Sequence, residues 1–311
     1  MGYFMKRLFL FAGYDRDGIV DDSLLWYLKS LSELGDIVFV MDNDATDVEI
    51  EKVRQIPNVL YANAVRHGEY DFGSYKRAYI WARDNKLLEK YDWVYLVNDS
   101  VYGPLHSLEP LLLRLESNGA ELTGMAEYQD CNTPTHIQSW FVGLNQKIVC
   151  TELFDSFIQS VSKENSKANI INKYEVCLSR RLLRSGFSMY AIMYNNSETK
   201  HVMYDCPTQA LNSGVPFIKK RAISILEGLY NLYSHTDDYS VVDAIAENMA
   251  RCNIKMPSDR KYKKVFRMTL FSIPILTIYK KNRFVEYKFY MFDVIPILKF
   301  AVNKDKQAKQ V

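Results

Sequence analysis

The sequence predicts an α/β protein with a mostly parallel sheet flanked by helices. Three observations predict it. Largely apolar runs of strand length stand at residues 7–12, 36–41, 58–62 and 92–97, and such unbroken runs suit strands covered on both faces. Stretches with helical character separate them. Polar or glycine-bearing loops follow three of the runs: 13–18, Asp42-Asn43-Asp44 and Asn98-Asp99-Ser100. Strand, helix, strand, helix in this order is the signature of a parallel sheet.

Each element follows from local pattern. Residues 7–12 are a buried strand leading into the turn-rich loop 13–18. Asp22 or Ser23 caps a helix to about Leu34, with Leu24, Leu25, Leu28 and Leu31 on one face. Gly35 ends it. The strand 36–41 precedes a polar helix at 46–55, and 58–62 is the third strand. Tyr70-Asp71-Phe72-Gly73-Ser74-Tyr75-Lys76 opens a helix to about Asn85, followed by the strand 92–97. A helix near 107–118, a strand at 122–126, a polar loop at 127–135 and an extended segment at 137–144 come next. Helices near 151–162 and 174–185 precede a strand near 187–194, a mixed stretch at 208–235 and a helix at 237–253. Residues 255–260 resemble a linker. The expected division is a main domain over 1–235 and a helical, basic-aromatic C-terminal appendage over 236–311.

Composition sets bounds. The 311 residues are 48% hydrophobic and 24% charged, ordinary for a soluble globular chain. The aromatic share is 14%, and an aromatic-rich core is the simplest use for it. Net charge is +2, yet residues 255–311 hold 14 Lys or Arg against 4 Asp or Glu. A basic tail on an acidic body calls for an anionic partner. The five cysteines are scattered with no Cys-x-x-Cys pair, which favours reduced thiols and argues against a zinc site. The run 8–12 is too short for a secretory core, and no apolar run reaches the roughly 20 residues of a spanning helix. Gly-x-Ser-x-Gly, His-Glu-x-x-His, Walker and dinucleotide fingerprints are absent.

In open α/β sheets, ligands bind beyond the carboxyl ends of the strands. Asp99, with Asn98 and Ser100, follows the fourth strand at once. A carboxylate there holds a metal ion or sugar-phosphate; the plain alternative is a helix cap. Asp42 has the same double reading. In the 67–76 stretch, Asp71 suits a ribose or sugar hydroxyl, Gly73 an open helix start, and Arg66 and Lys76 an anion; a simple cap explains the pattern equally well. Glu175 reads as first-turn, where the helix dipole stabilises an ionised general base, or merely compensates the dipole. Arg180 lies on an arginine face that is solvated or meets phosphate. His136, Gln138 and Trp140 together suit a sugar-binding wall, although a lone histidine is more often structural. The tail, from Lys261 through Lys288, interleaves Lys and Arg with Phe and Tyr. That pattern suits an anionic membrane surface first, and single-stranded nucleic acid or a subunit interface after it.

Five stretches in order (70–76, Asn98-Asp99-Ser100-Val101-Tyr102-Gly103-Pro104-Leu105, His136-Ile137-Gln138-Ser139-Trp140-Phe141, 174–179 and Gly214-Val215-Pro216-Phe217-Ile218-Lys219) resemble the rhamnan synthesis protein F family across about residues 5–225. The resemblance implies a GT-A-like, Rossmann-like fold. It implies an inverting glycosyltransferase of cell-surface polysaccharide or O-antigen assembly, and the scattered cysteines with the basic tail set the expected place of work at the cytoplasmic face of the membrane. The implied donor is a nucleotide-sugar such as dTDP-rhamnose or UDP-galactofuranose, and the acceptor a lipid-linked glycan or oligosaccharide. Mg²⁺ or Mn²⁺ on Asp99 is the implied cofactor, although a full Asp-x-Asp is missing. Asp42, Arg66, Asp71, Gly73, Lys76, Asn98 and Ser100 then fall on the donor side, Glu175 is the base, and His136, Gln138, Trp140 and Arg180 meet acceptor or phosphate. A non-catalytic sugar-binding module and a nucleic-acid-binding protein are the competing readings.

Overall fold

The structure is a computed structural model that describes residues 5–130, 133–194, 201–226 and 232–254 in full. Residues 230–231 and four C-terminal strands are described as backbone alone. Two compact units divide the chain, residues 1–256 and 257–311.

Among its described residues the first unit has ten strands: β1 (Arg7–Gly13), β2 (Asp36–Met41), β3 (Val59–Ala64), β4 (Trp93–Asn98), β5 (Val101–Tyr102), β6 (Leu122–Tyr128), β7 (His136–Ile137), β8 (Phe141–Asn145), β9 (Met189–Met193) and β10 (Ile218–Lys219). The main sheet runs β3-β2-β1-β4-β8-β6-β7, with β9 beside β6. β3, β2, β1 and β4 are parallel, β8 is antiparallel to β4 and β6, and β9 is parallel to β6. A Rossmann-like parallel half thus continues into an antiparallel extension, the architecture expected of a GT-A-like chain. In register, Ala12 of β1 pairs with Val40 on one side and Asn98 on the other, so the carboxyl ends of the parallel strands form one edge.

Helices α1 (Asp22–Ser32), α2 (Asp47–Arg54), α3 (Tyr70–Asp84), α4 (Glu109–Ser117), α5 (Gln146–Val149), α6 (Glu152–Gln159), α7 (Lys167–Ile170), α8 (Cys177–Arg184), α9 (Val202–Asp205), α10 (Pro207–Asn212), α11 (Tyr230–Tyr233) and α12 (Ser240–Arg251) complete the unit. Every residue of β1 is buried, and alternation sorts its side chains to two faces. Phe9 and Phe11 pack with Tyr27, Leu28 and Leu31 of α1, while Leu8 and Leu10 pack with Phe72, Tyr75 and Ala78 of α3. Each fully buried phenylalanine contributes roughly 2–3 kcal/mol of transfer free energy, so this strand anchors the site edge firmly. Arg7, at its buried start, is satisfied by Glu116: Nε donates to Oε1 at 2.6 Å and an η-nitrogen to Oε2 at 2.7 Å. Tyr95 Oη also donates to Glu116 Oε1, at 2.8 Å.

Four expectations need correction. The cap of α1 is Asp21, whose carboxylate accepts from Leu24 N–H at 3.1 Å, because the helix begins at Asp22 itself. The 137–144 segment is two strands, β7 and β8, since Gln138–Trp140 turns between partners. Helix α12 belongs to the first unit, which runs to residue 256 rather than 235; its Val241, Val242 and Ile245 share a core with Tyr102 and Ile218. The tail is not helical: β11 (Lys263–Leu270), β12 (Ile273–Lys281), β13 (Phe284–Met291) and β14 (Ile295–Asn303) form an antiparallel meander. Its prolines and its β-branched and aromatic residues, Ile273-Pro274-Ile275 and Ile295-Pro296-Ile297 among them, disfavour a helix and favour strands. The tail's basic and aromatic side chains, on which the membrane expectation rests, lie outside the described residues. Among the described residues no helix is long and apolar enough to cross a membrane.

Candidate active site

The carboxyl-end edge of the parallel strands gathers charge. Asn98 ends β4, and both ends of its amide are engaged. Its Nδ2 donates to Asp71 Oδ2 at 2.8 Å, and its Oδ1 accepts from Ser100 N–H at 3.0 Å and Ser100 Oγ at 2.6 Å. Lys219 Nζ in turn donates to Ser100 Oγ at 2.8 Å. Donors therefore point one way, from the Lys219 ammonium through Ser100 and Asn98 to the Asp71 carboxylate, an arrangement in which each bond polarises the next. The β5–β10 ladder, with Lys219 opposite Val101, and Lys220 N–H donating to Ser100 O at 3.0 Å place both lysines there. Gly103 permits the approach: a Cβ at this residue, whose φ is +124°, would lie 2.4 Å from Pro216 O.

Asp99 is next to this chain. Its Oδ2 accepts from Tyr14 N–H at 3.2 Å and lies 3.6 Å from Lys220 Nζ, and its side chain is 14% exposed. Burial pushes its carboxyl above the usual range, with Lys220 opposing. Burial, reinforced by the charge of Asp99, pushes Asp71 up to about 6. Burial also drives Lys219 down to about 7, against the pull of Glu175 and Asp71. Its ammonium sits 4.8 Å over the Trp140 ring and 5.7 Å over that of Tyr204.

The second half is built around Glu175. It is not at a helix start. Residues 171–176 form a π-helical turn between α7 and α8, so Glu175 lies inside a longer helical run and the dipole explanation fails. Specific donors hold it instead. Oε2 accepts from Ser139 N–H at 3.0 Å and, in a very short contact, from Ser139 Oγ; Oε1 lies 3.3 Å from His136 Nε2. Burial alone would raise this carboxyl, but the bonds from His136 and Ser139 outweigh it and hold the group below its ordinary value. His136 Nδ1 donates to Pro134 O at 2.8 Å. A carbonyl only accepts, so Nε2 donates to Glu175 when the ring is an imidazolium. Burial disfavours that cation, yet the bonds to Glu175 and Pro134 raise its pKa.

Gln138 and Trp140 join the two halves. Trp140 Nε1 donates to Gln138 Oε1 at 3.1 Å, and Gln138 Nε2 donates to His201 Nδ1 at 3.0 Å. That nitrogen is therefore unprotonated, and burial keeps the His201 ring below its ordinary pKa. Tyr75 Oη donates to Ser139 O at 2.9 Å. Its own ionisation is raised by burial and by Asp71 and Glu175, which places both carboxylates within electrostatic reach of one phenol.

Other expected residues have different duties. Asp42 Oδ1 accepts from His67 N–H at 2.8 Å and Gly68 N–H at 3.0 Å, so it organises the loop entering α3. Gly73 leaves room for that loop, since a Cβ would lie 2.6 Å from the His67 ring. Lys76 Nζ donates to Val161 O at 2.7 Å, tying α3 to the residues after α6. Arg66 pairs with Asp44 at the exposed rim. Arg180 is exposed on α8 and joins none of the hydrogen bonds just described.

A scan against protein families matches residues 37–280 to rhamnan synthesis protein F. The chain belongs to that family. The match omits the first strand and extends past residue 225 into the tail. A curated relative, the uncharacterized protein y4gN of Sinorhizobium fredii, is 26% identical over 127 residues, which is 39% of this chain and 33% of the relative. The chain thus matches about a third of that relative's length. Among solved structures, core-mannan synthase A of Aspergillus fumigatus in its Mn/GDP form has a TM-score of 0.31 at 10% identity, covering 57% of this chain and 69% of the synthase. The glycosyltransferase GlyE of Streptococcus pneumoniae has a TM-score of 0.39 at 12% identity, covering 84% of this chain and 67% of GlyE.

In this rhamnan synthesis protein F chain, the five stretches that carried the resemblance meet in one place. They supply Asp71, Asn98 to Ser100, His136 to Trp140, Glu175 and Lys219. Sequence reasoning named most of these but passed over Lys219, Lys220, Ser139 and His201. Lys219 and Ser139 were visible as members of two of those stretches. Lys220 and His201 carried no local signal.

Proposed function

We propose that this chain is a glycosyltransferase that moves a sugar, of rhamnose or galactofuranose type, from a nucleoside diphosphate to a polysaccharide acceptor with inversion. What carries the reading is the convergence of three carboxylates and two lysines at the carboxyl edge of a Rossmann-like sheet, in a member of a polysaccharide-synthesis family. The lysines and the Ser100 hydroxyl lie on the side where a diphosphate would be received. Glu175, held ionised by three donors, takes the proton of the acceptor hydroxyl as that oxygen attacks the anomeric carbon. The anomeric carbon–oxygen bond breaks, and the departing diphosphate keeps the electron pair. Gln138 and Trp140 are buried and brace the site from inside the fold rather than forming a wall open to the acceptor. Asp71, which accepts from Asn98 Nδ2 at the strand end and is pushed up to about 6 by burial and the charge of Asp99, is the second candidate for the base.

The residues do not fit a metal ion caged by side chains. Among the described residues no three His, Cys, Asp or Glu side chains gather as a metal site. Asp99 also has one oxygen engaged by Tyr14 N–H and Lys220. No step is therefore routed through a metal. We also place the enzyme at the cytoplasmic face of the membrane, on the strength of the tail's composition. The test is release of nucleoside diphosphate from a panel of UDP-, dTDP- and GDP-sugars with an oligosaccharide acceptor. Turnover of one donor, lost in Glu175→Gln without loss of fold, supports the reading. Binding without turnover for every donor would make the chain a sugar-nucleotide-binding module.

A further inference from the structure

Asp99 has a cation already, and that cation is part of the protein. Lys220 Nζ lies 3.6 Å from Asp99 Oδ2, with its side chain 28% exposed, and 5.5 Å over the Tyr102 ring. Its backbone is fixed by the hydrogen bond to Ser100 O. Lys219, on the other side of Ser100, is 4% exposed and committed to the Ser100 hydroxyl. The two differ in freedom. Lys219 is held in place in the floor, whereas Lys220 makes a long ion pair at a partly open edge.

We propose that Lys220, seated on Asp99, is the cation that receives the donor's diphosphate, in the position a divalent ion would otherwise fill, with Lys219 as the fixed second charge. The inference rests on the glycosyltransferase reading and deepens it. Asp99 then acts as a parking site that holds the ammonium at the strand end until a phosphate takes it over. Two adjacent ammonium groups neutralise most of a diphosphate's charge without a metal, and a lysine acts there as a movable point charge.

The experiment is calorimetric binding of UDP, dTDP, GDP and inorganic pyrophosphate to the full chain, in EDTA and in Mn²⁺. Wild type should bind a nucleoside diphosphate equally, within about twofold, in both. Lys220→Met should weaken binding about tenfold to a hundredfold, the loss expected for one charge-assisted contact. Lys220→Arg should restore most of it. Asp99→Asn, which frees Lys220, should leave binding unchanged or tighter in EDTA. Binding that requires Mn²⁺ and is lost in Asp99→Asn overturns the proposal and leaves the glycosyltransferase reading standing. Lysine-dependent capture of pyrophosphate, with no preference for any nucleotide, overturns the nucleotide-sugar reading and leaves the lysine site. No binding of any probe overturns both.

Discussion

Two of the carboxylates at this site, Asp71 and Glu175, are treated by the fold in opposite ways. Asp71 and Glu175 both lose water on folding. Asp71 receives one amide donor, from Asn98, and has the negative charge of Asp99 nearby, so it rises to about 6. Glu175 receives the Ser139 N–H and hydroxyl and the His136 ring, and it falls below its ordinary value. Burial is the largest single influence on each. What separates them is the number of donors and the sign of the nearest charge. Pairs of titratable groups pushed apart in this manner mark acid–base machinery.

The largest expected effect lies in turnover. Glu175→Gln should reduce kcat by about 10²–10⁴, the usual contribution of a positioned base. The pH profile of kcat/KM then decides between the two carboxylates. With Glu175 as base, the rate stays flat as pH falls through 6. An acid limb centred near 6, abolished in Asp71→Asn, would transfer the role to Asp71.

Stability should move in opposite directions for the two. The folded value of Asp71 exceeds its usual 3.8, so its charged form is disfavoured in the fold. That cost sets in above pH 3.8 and is complete above about 6. Asp71→Asn should therefore stabilise the protein by up to about 3 kcal/mol at pH 8 and give no gain below pH 4. The folded value of Glu175 is depressed, so its contribution is present above its unfolded value and is lost as pH falls through the folded one. Glu175→Gln should destabilise at pH 7 and converge with wild type in acid. Urea denaturation at several pH values measures both, and equal signs at pH 8 would erase the contrast.

Removing one donor from Glu175 sharpens it further. Ser139→Ala should cost about 1–3 kcal/mol, because a buried acceptor is left short of partners. It should also raise the pH at which Glu175 protonates, visible as a new acid limb in turnover. The smallest effect concerns Lys219. At about 7 in the free protein, it is partly neutral at physiological pH, and an arriving phosphate recharges it. Nucleoside diphosphate binding should take up a fraction of a proton near pH 7.5, seen by calorimetry in buffers of different ionisation enthalpy, and should weaken as pH rises above 7. A pH-independent affinity across 6.5–8.5 would remove Lys219 from the phosphate's surroundings.

Much of this was legible in local pattern, for identifiable reasons. Asn98-Asp99-Ser100 stood out because a polar triplet follows an apolar strand, and strand ends are where α/β sheets bind. Asp71 stood out because it opens a helix. Lys76 and Arg180 misled. A cation on a site helix is not aimed at the site, since the helical turn sends Lys76 to Val161 O and leaves Arg180 in solvent. Lys219 could be read only as a member of the 214–219 stretch, with nothing beside it in the chain that marks a site residue. It arrives through a two-residue ladder with β5. The tail was expected to be helical, whereas its alternation of residue types and its prolines suit strands, whose period is two.

The order of strands and helices, the carboxyl-end loops and the stretches that hold the reactive groups belong to the sequence, since each follows from short-range periodicity and turn chemistry. The ionisation of those groups belongs to the tertiary structure. Whether Asp71, Glu175 and Lys219 carry a charge depends on lost water, converging donors and opposing charges. Those come from segments up to about 150 residues apart, as Lys219 and Asp71 are, and only folding brings them together.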